Sequence, residues 1–234
     1  MAALLSQMGF IVLVPDHTDG SASRARSCPS PIYYESFFHT KERPHRARQL
    51  LHRVKDIRDT FEWTKSLNAG NLPDHPELSK FANSLDLSSG YVAAGHSFGG
   101  GTSIACGITD DQCTGVIALD PWVVCVLDND LFERPSSTPI LSITADQGAS
   151  KGGYWRKNCS HVTRYVNENE GKMVLMEGAN HFDVCDLSLY LRDNLYFPAH
   201  DSLIRSFLND LDWLATSTPP PTPPPAFLRH HPPF

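Results

Sequence analysis

Tyr91-Val92-Ala93-Ala94-Gly95-His96-Ser97-Phe98-Gly99-Gly100-Gly101 is the stretch whose reading decides the fold. A short apolar run leads into a G-x-S-x-G pattern, and small residues lead out of it. The bare pattern turns up by chance roughly 0.1 times in a chain of this length, so its context carries the weight. A strand running in and a helix running out is what a nucleophile elbow requires. In that turn the serine holds a strained backbone so that its hydroxyl projects above the sheet. Gly95 and Gly99 are expected to leave room for neighbouring backbone, and Gly100 and Gly101 to extend that room into the helix. The helix aims its N-terminus at the site and favours negative charge there. Ser97 is thus the candidate nucleophile, and the backbone N–H of Phe98 a candidate oxyanion-hole donor.

Outward from the elbow, apolar runs alternate with helical patterns. Phe10-Ile11-Val12-Leu13-Val14 is continuous and β-branched, which predicts an interior parallel strand, with the end of a helix before it at Ala2 to Met8. Residues from about Asp16 to Pro44 read as a long loop, a place where function often resides. From His45 to Lys65, Leu50, Val54, Ile57 and Phe61 form one apolar helical stripe. Asn68-Ala69-Gly70-Asn71 ends it, and Leu78, Phe81 and Leu85 suggest a further short helix. Tyr91 to Ala94, Gly115 to Leu119, Pro139 to Thr144 and Lys172 to Met176 predict strands, Gly99 to Gly107 a helix, and Ser202 to Leu214 a closing amphipathic helix. Such alternation implies a mostly parallel sheet with helices on both faces. With the elbow, the predicted fold class is α/β, of the α/β-hydrolase type. The expected organisation is one domain over residues 1–215. The tail over residues 216–234, TSTPPPTPPPAFLRHHPPF from Thr216, is too rich in proline to pack a core.

In this fold the acid and the histidine follow the serine, each at the end of a later strand. Asp120 directly follows the strand ending at Leu119, and Asp146 follows the strand ending near Thr144; topology alone leaves the two even. For the base, His181 follows the strand Val174-Leu175-Met176 and the turn Glu177-Gly178-Ala179-Asn180, whereas His161 and His200 do not sit just after a strand. His181 would take the Ser97 proton as the hydroxyl attacks an ester carbonyl, the acid would hold the imidazole tautomer, and an acyl-enzyme would form and be hydrolysed. This chemistry calls for no cofactor and no metal. Leu189, Tyr190, Leu195, Tyr196 and Phe197 follow the base; Leu195 and Phe197 are the candidate substrate-binding positions, with core packing as the alternative.

Composition narrows the remaining choices. The chain has 234 residues, 41% hydrophobic and 20% charged, which reads as soluble and globular. A net charge of -6 argues against a general nucleic-acid binder. The basic run with Lys41, Arg43, Arg46, Arg48, Arg53 and Lys55 reads as the solvated face of a helix, the alternative being peripheral contact with anionic lipid surfaces. The six cysteines form no C-x-x-C pair and read as free buried thiols. No basic n-region or small-residue cleavage site flanks Met8 to Val14, which favours the cytoplasm over secretion. Oligomeric state is left open.

With these residues in view, the chain resembles the platelet-activating factor acetylhydrolases of the plasma and type II intracellular class. Gly95-His96-Ser97-Phe98-Gly99-Gly100 resembles that family's G-H-S-F-G-G. Ile117-Ala118-Leu119-Asp120-Pro121-Trp122 resembles its I-A-L-D-x-W, whose aspartate is the triad acid, and this selects Asp120 over Asp146. The stretch from Gly178 to His181 is similar to the segment carrying the family's catalytic histidine. Asp16-His17-Thr18-Asp19-Gly20-Ser21-Ala22-Ser23, just after Gly9-Phe10-Ile11-Val12, is similar to E-H-R-D-x-S-A-S after G-F-I-V. The helix around Arg46-Ala47-Arg48 is similar to a basic helix in these enzymes. The resemblance runs over about residues 9 to 214. It implies a phospholipid substrate with a short or oxidised sn-2 acyl chain, hydrolysed without calcium. Family members carry early strands and an H-G-x-G-like loop, the source of the second oxyanion donor, before the G-F-I-V strand. The resemblance therefore implies a sheet without its N-terminal strands here, and a rate lowered about 100- to 1,000-fold if that donor is lost. Two other readings compete: a carboxylesterase or polyester hydrolase acting on soluble esters, and a noncatalytic, hydrolase-like binding protein.

Overall fold

The structure, a computed structural model, describes residues 2–21, 24–25, 32–33, 42–72, 74–146, 154–169 and 171–184. The chain divides into two compact units, Met1–Leu85 and Asp86–Phe234. Leu195, Phe197, His200, the predicted closing helix at Ser202 to Leu214 and the proline-rich tail lie outside the described residues, as do Cys28 and Cys185.

In the first unit, helix α1 (Ala2–Gln7) precedes a two-residue antiparallel pair, β1 (Arg24–Ala25) with β2 (Ile32–Tyr33), and the long helix α2 (Glu42–Asn68). The predicted stripe on α2 is present: Leu50, Val54 and Phe61 are buried, and Ile57 is half-buried. Ala47, Gln49, Thr64 and Leu67 widen it. The helix closes with Asn71 N–H donating to the Ser66 carbonyl at 2.9 Å, the wide bond of a Schellman-type end. A 3-10 helix, Pro76–Phe81, follows where a short helix was expected, with no residue buried.

One prediction fails here. Phe10 to Val14 forms no strand, and Phe10, Ile11, Leu13 and Val14 are exposed, Val14 to 80%. An apolar run becomes a strand only by pairing its backbone with a neighbour, and no strand of the described residues pairs with this one. The polar residues just after it are anchored instead. His17 Nδ1 lies 3.0 Å from Asp56 Oδ2, Gln49 donates to the Asp19 carbonyl at 2.8 Å, and Arg53 Nε donates to Asp19 Oδ2 at 2.8 Å. The Asp19 side chain is wholly buried and that of Arg53 nearly so. Arg53 therefore departs from the solvated face predicted for the basic run, while Arg48 and Lys55 are exposed as expected. Burial works against the Asp19 charge, but the Ser21 hydroxyl and the Arg53 guanidinium outweigh it and hold the carboxyl below its usual range.

The second unit is a four-stranded, fully parallel sheet in the order β3 (Tyr91–His96), β4 (Cys113–Leu119), β5 (Ile140–Ala145), β6 (Lys172–Met176). Helix α3 (Phe98–Thr109) joins β3 to β4. A short helix α4 (Val124–Leu127) and a 3-10 turn, Leu131–Glu133, precede β5, and α5 (Tyr154–Glu168) joins β5 to β6. The inner strands are buried along nearly their whole length, as continuous apolar runs predict. Ile104, Val116, Ile140, Leu141, Ile143, Val162 and Val166 fill the core between sheet and helices. In register, His96 stands opposite Leu119, Leu119 opposite Ile143 and Ala145 opposite Met176, so all four strands finish at one edge. No helix of the described residues is long and apolar enough to cross a membrane.

Helix α5 also braces the loop after β4. Asn158, 5% exposed, donates from Nδ2 to the Pro121 carbonyl at 2.6 Å and accepts the Val123 N–H at 2.8 Å. Replacing Asn158 by Leu strands both buried backbone groups and should lower stability by about 3 kcal/mol, read from urea denaturation. Arg53→Met leaves the buried Asp19 carboxylate uncompensated and should cost about 3 kcal/mol. The held-down Asp19 carboxyl adds stability above its unfolded pKa and loses it as pH falls through the folded value. The gap between Arg53→Met and the parent should thus be full above about pH 4 and shrink below it, in unfolding curves taken across acid pH.

Candidate active site

Three chain reversals at the C-terminal edge of the parallel sheet build the site. The first is the turn from β3 into α3. Ser97 has φ 57° and ψ −118°, a sparsely populated conformation for a residue with a side chain. Its N–H donates to the Leu119 carbonyl at 3.0 Å, and its carbonyl accepts from Gly101 N–H at 3.1 Å and Trp122 N–H at 2.8 Å. A Cβ at Gly95 would fall 2.4 Å from the Gly99 backbone, and one at Gly100 would fall 2.8 Å from the Pro121 side chain. These two positions must be glycine for the turn to close. Gly99 differs from expectation: a Cβ there would meet nothing within 4 Å among the described residues. Its part is to be approached by Gly95. Phe98 opens α3, so its N–H belongs to the first helical turn, where the N–H groups point out of the helix end. Its ring meets Trp122 edge-on at 5.5 Å between centroids.

The second reversal follows β4. Asp120 is 3% exposed and also has a positive φ, 38°, which aspartate tolerates better than most residues. Its N–H donates to the Ile143 carbonyl at 2.6 Å, and its Oδ1 accepts the Ala145 N–H at 3.1 Å. The second carboxylate oxygen is thereby turned toward the histidine. Asp146, the other acid weighed, is partly exposed one residue past β5.

The third reversal follows β6 and carries His181. Asn180 and Asp183 frame it: Asp183 Oδ2 accepts from Asn180 N at 2.8 Å and from Asn180 Nδ2 at 2.9 Å, while Phe182 N–H donates to Asn180 Oδ1 at 2.9 Å. His181 Nδ1 lies 2.5 Å from Asp120 Oδ2, and His181 Nε2 lies 3.0 Å from Ser97 Oγ. A carboxylate can only accept, so Nδ1 carries the proton and Nε2 is left to accept from the serine hydroxyl. The histidine side chain is 22% exposed and the aspartate 4%, so one face of the imidazole reaches solvent while the acid is sealed. The structure thus brings Ser97, Asp120 and His181 into one hydrogen-bonded row. Such a row can remove a proton from an attacking hydroxyl and return it to a leaving group.

Sequence reasoning passed over several residues here. His96, the residue before Ser97, has Nε2 2.8 Å from the His181 carbonyl, with the two rings 4.5 Å apart. Burial, and then the neighbouring His181, lower the His96 pKa. Asn180, Asp183 and the Ala145 N–H were also passed over, because their roles depend on turns that spacing does not encode. Among the described residues Cys106, Cys113, Cys125 and Cys159 form no disulfide; the first three are buried, as expected of the thiols, and Cys159 is half-buried. Burial pushes the Cys113 thiol up to about 12, which keeps it unreactive at neutral pH. Among the described residues, no group of three or more histidine, cysteine or acidic side chains is placed to hold a metal ion.

Residues 1–195 match the family model described as platelet-activating factor acetylhydrolase, isoform II. The platelet-activating factor acetylhydrolase of Cavia porcellus is 28% identical over 200 residues, covering 79% of this chain and 44% of that protein. The platelet-activating factor acetylhydrolase of Bos taurus is 27% identical over 201 residues, with the same coverage of 79% and 44%. The chain therefore spans somewhat under half the length of these relatives. The matched residues take in both the elbow and the turn that carries His181. On that match the chain belongs to the platelet-activating factor acetylhydrolase, isoform II family, whose fold is that of the α/β hydrolases.

Proposed function

We propose that the chain is a serine esterase that hydrolyses the short or oxidised sn-2 acyl ester of phospholipids such as platelet-activating factor. The observation that carries this reading is the row of contacts from Ser97 Oγ to His181 Nε2 at 3.0 Å and from His181 Nδ1 to Asp120 Oδ2 at 2.5 Å. Family membership and the names of the two relatives support the substrate class.

Ser97 Oγ attacks the sn-2 carbonyl carbon while His181 Nε2 takes its proton. The carbonyl π electrons move to oxygen, and the Phe98 N–H stabilises that oxyanion at the α3 N-terminus. Asp120 holds the imidazole in the productive tautomer and offsets the charge of the imidazolium. As the intermediate collapses, His181 passes the proton to the departing glycerol oxygen, which releases a lysophospholipid and leaves an acyl-Ser97 ester. Water, deprotonated by His181, then cleaves that ester to the free acid and restores Ser97. All proton movement runs through side chains, so the reading expects no calcium requirement. Leu195 and Phe197 are proposed to meet the acyl chain.

Two experiments test this. Ser97→Ala should abolish hydrolysis of a phosphatidylcholine with an acetyl group at sn-2, and Asp120→Asn should lower kcat about 10,000-fold, both with the parent's melting temperature. A Ser97→Ala protein that keeps its rate would remove Ser97 as nucleophile. The second experiment is a substrate panel run in excess chelator. Short sn-2 phospholipids should be cleaved faster than long-chain ones at an unchanged rate with chelator. Turnover of p-nitrophenyl esters with none of phospholipid would point to a soluble-ester hydrolase. A folded protein that takes no fluorophosphonate label would point to a binding protein.

A further inference from the structure

We propose that His96 is a positioning residue, whose imidazole ties the main chain of the base-bearing turn to the strand that carries the nucleophile. The proposal rests on the esterase reading above for its kinetic consequence, and on geometry for the contact itself.

The need for such a tie follows from the sheet order. The nucleophile leaves β3 and the base leaves β6, which stand at opposite ends of the four-stranded row. Neighbouring strands lie about 4.8 Å apart, so the turn after β6 must reach over roughly 14 Å of sheet edge to meet Ser97. A turn that reaches so far needs anchors along its path. Asp120, at the end of β4, holds the imidazole of His181 at 2.5 Å. His96, at the end of β3, holds the carbonyl of the same residue at 2.8 Å. One anchor fixes the ring and the other fixes the backbone. His96 and Ser97 are consecutive, so any movement of β3 carries nucleophile and anchor together.

The chemistry of the contact is also specific. The His181 carbonyl can only accept, so His96 carries its proton on Nε2. Burial and the adjacent His181 favour the neutral His96 ring. A neutral donor fixes the turn without placing a second cation beside the imidazolium that forms during turnover. The ring, 4.5 Å from that of His181 and tilted by 41°, also limits how far the base can swing.

The test compares His96→Gln, whose Nε2 amide reproduces the donor at a similar reach, with His96→Phe, which keeps a ring and removes the donor. Both are made in the full 234-residue chain. In proton NMR, the low-field resonance of the Nδ1–H shared by His181 and Asp120 should broaden or vanish in His96→Phe and return in His96→Gln. With p-nitrophenyl acetate, His96→Phe should lose about 10- to 100-fold in kcat at a KM within about twofold, and His96→Gln should recover most of it. A full kcat and an unchanged low-field resonance in His96→Phe would overturn the proposal, as would a His96→Gln as impaired as His96→Phe. Should His96→Phe melt below the assay temperature, His96→Asn, whose amide is too short to reach the carbonyl, takes its place under the same criteria. If the parent protein shows no Ser97-dependent hydrolysis, the esterase reading fails, and the NMR comparison still decides the role of His96.

Discussion

The backbone of Ser97 is held where its φ of 57° and ψ of −118° are unfavourable, at a cost of about 1–3 kcal/mol. Main-chain hydrogen bonds and close glycine contacts hold it there. Its N–H is bonded to the Leu119 carbonyl and its carbonyl to Trp122 N–H, so both ends of the peptide grip the segment that holds Asp120. Ser97 and Asp120 are therefore tied to each other through the main chain at the ends of adjacent parallel strands. The glycines at 95 and 100 make this possible by removing atoms, since the elbow packs against its own helix and against Pro121 at distances no Cβ allows. His181 comes separately, from the turn after the far strand β6.

That division explains what could be read from the sequence. The elbow was legible because its strain demands glycine at fixed spacing and a strand and helix on either side. The inner strands, Cys113–Leu119 and Ile140–Ala145, were legible because parallel strands buried on both faces are largely apolar, and the outer ones, Tyr91–His96 and Lys172–Met176, because each still holds a short apolar run although most of its residues are only half-buried. Order along the chain then pointed to His181. Strand order left Asp120 and Asp146 even, since both follow strands, and only the resemblance of Ile117 to Trp122 to a known motif favoured Asp120. In the structure the choice turns on a positive φ and on an N–H donated by Ala145 from the neighbouring strand. Helix α5 was not read at all, although Asn158, Val162, Tyr165 and Val166 fall on one buried face.

Phe10 to Val14 shows the opposite failure. Its composition is that of an interior strand, yet a strand is a property of two segments, and pattern reports only one. The polar residues after it, Asp16 to Ser21, looked like loop and prove better fixed than the apolar run, because Asp19 and Arg53 neutralise each other in a buried contact. The basic run on α2 likewise hid an inward-facing member among outward ones. Charge counted along a helix does not reveal which side chain has turned in.

Ser97 and His181 are 84 residues apart, and the order of strands in the sheet is their order in the chain. Each strand of such a sheet is joined to its neighbour by a single crossover, whose closure entropy rises only slowly with its length. The turn bearing His181 has nowhere to dock until β6 has joined. The turn at Ser97 and the Asp120 carboxylate draw their own hydrogen bonds from β4 and β5, without β6. Contact between Ser97 and His181 therefore requires β3 and β6 to be in place at once, and it reports on the four described strands together.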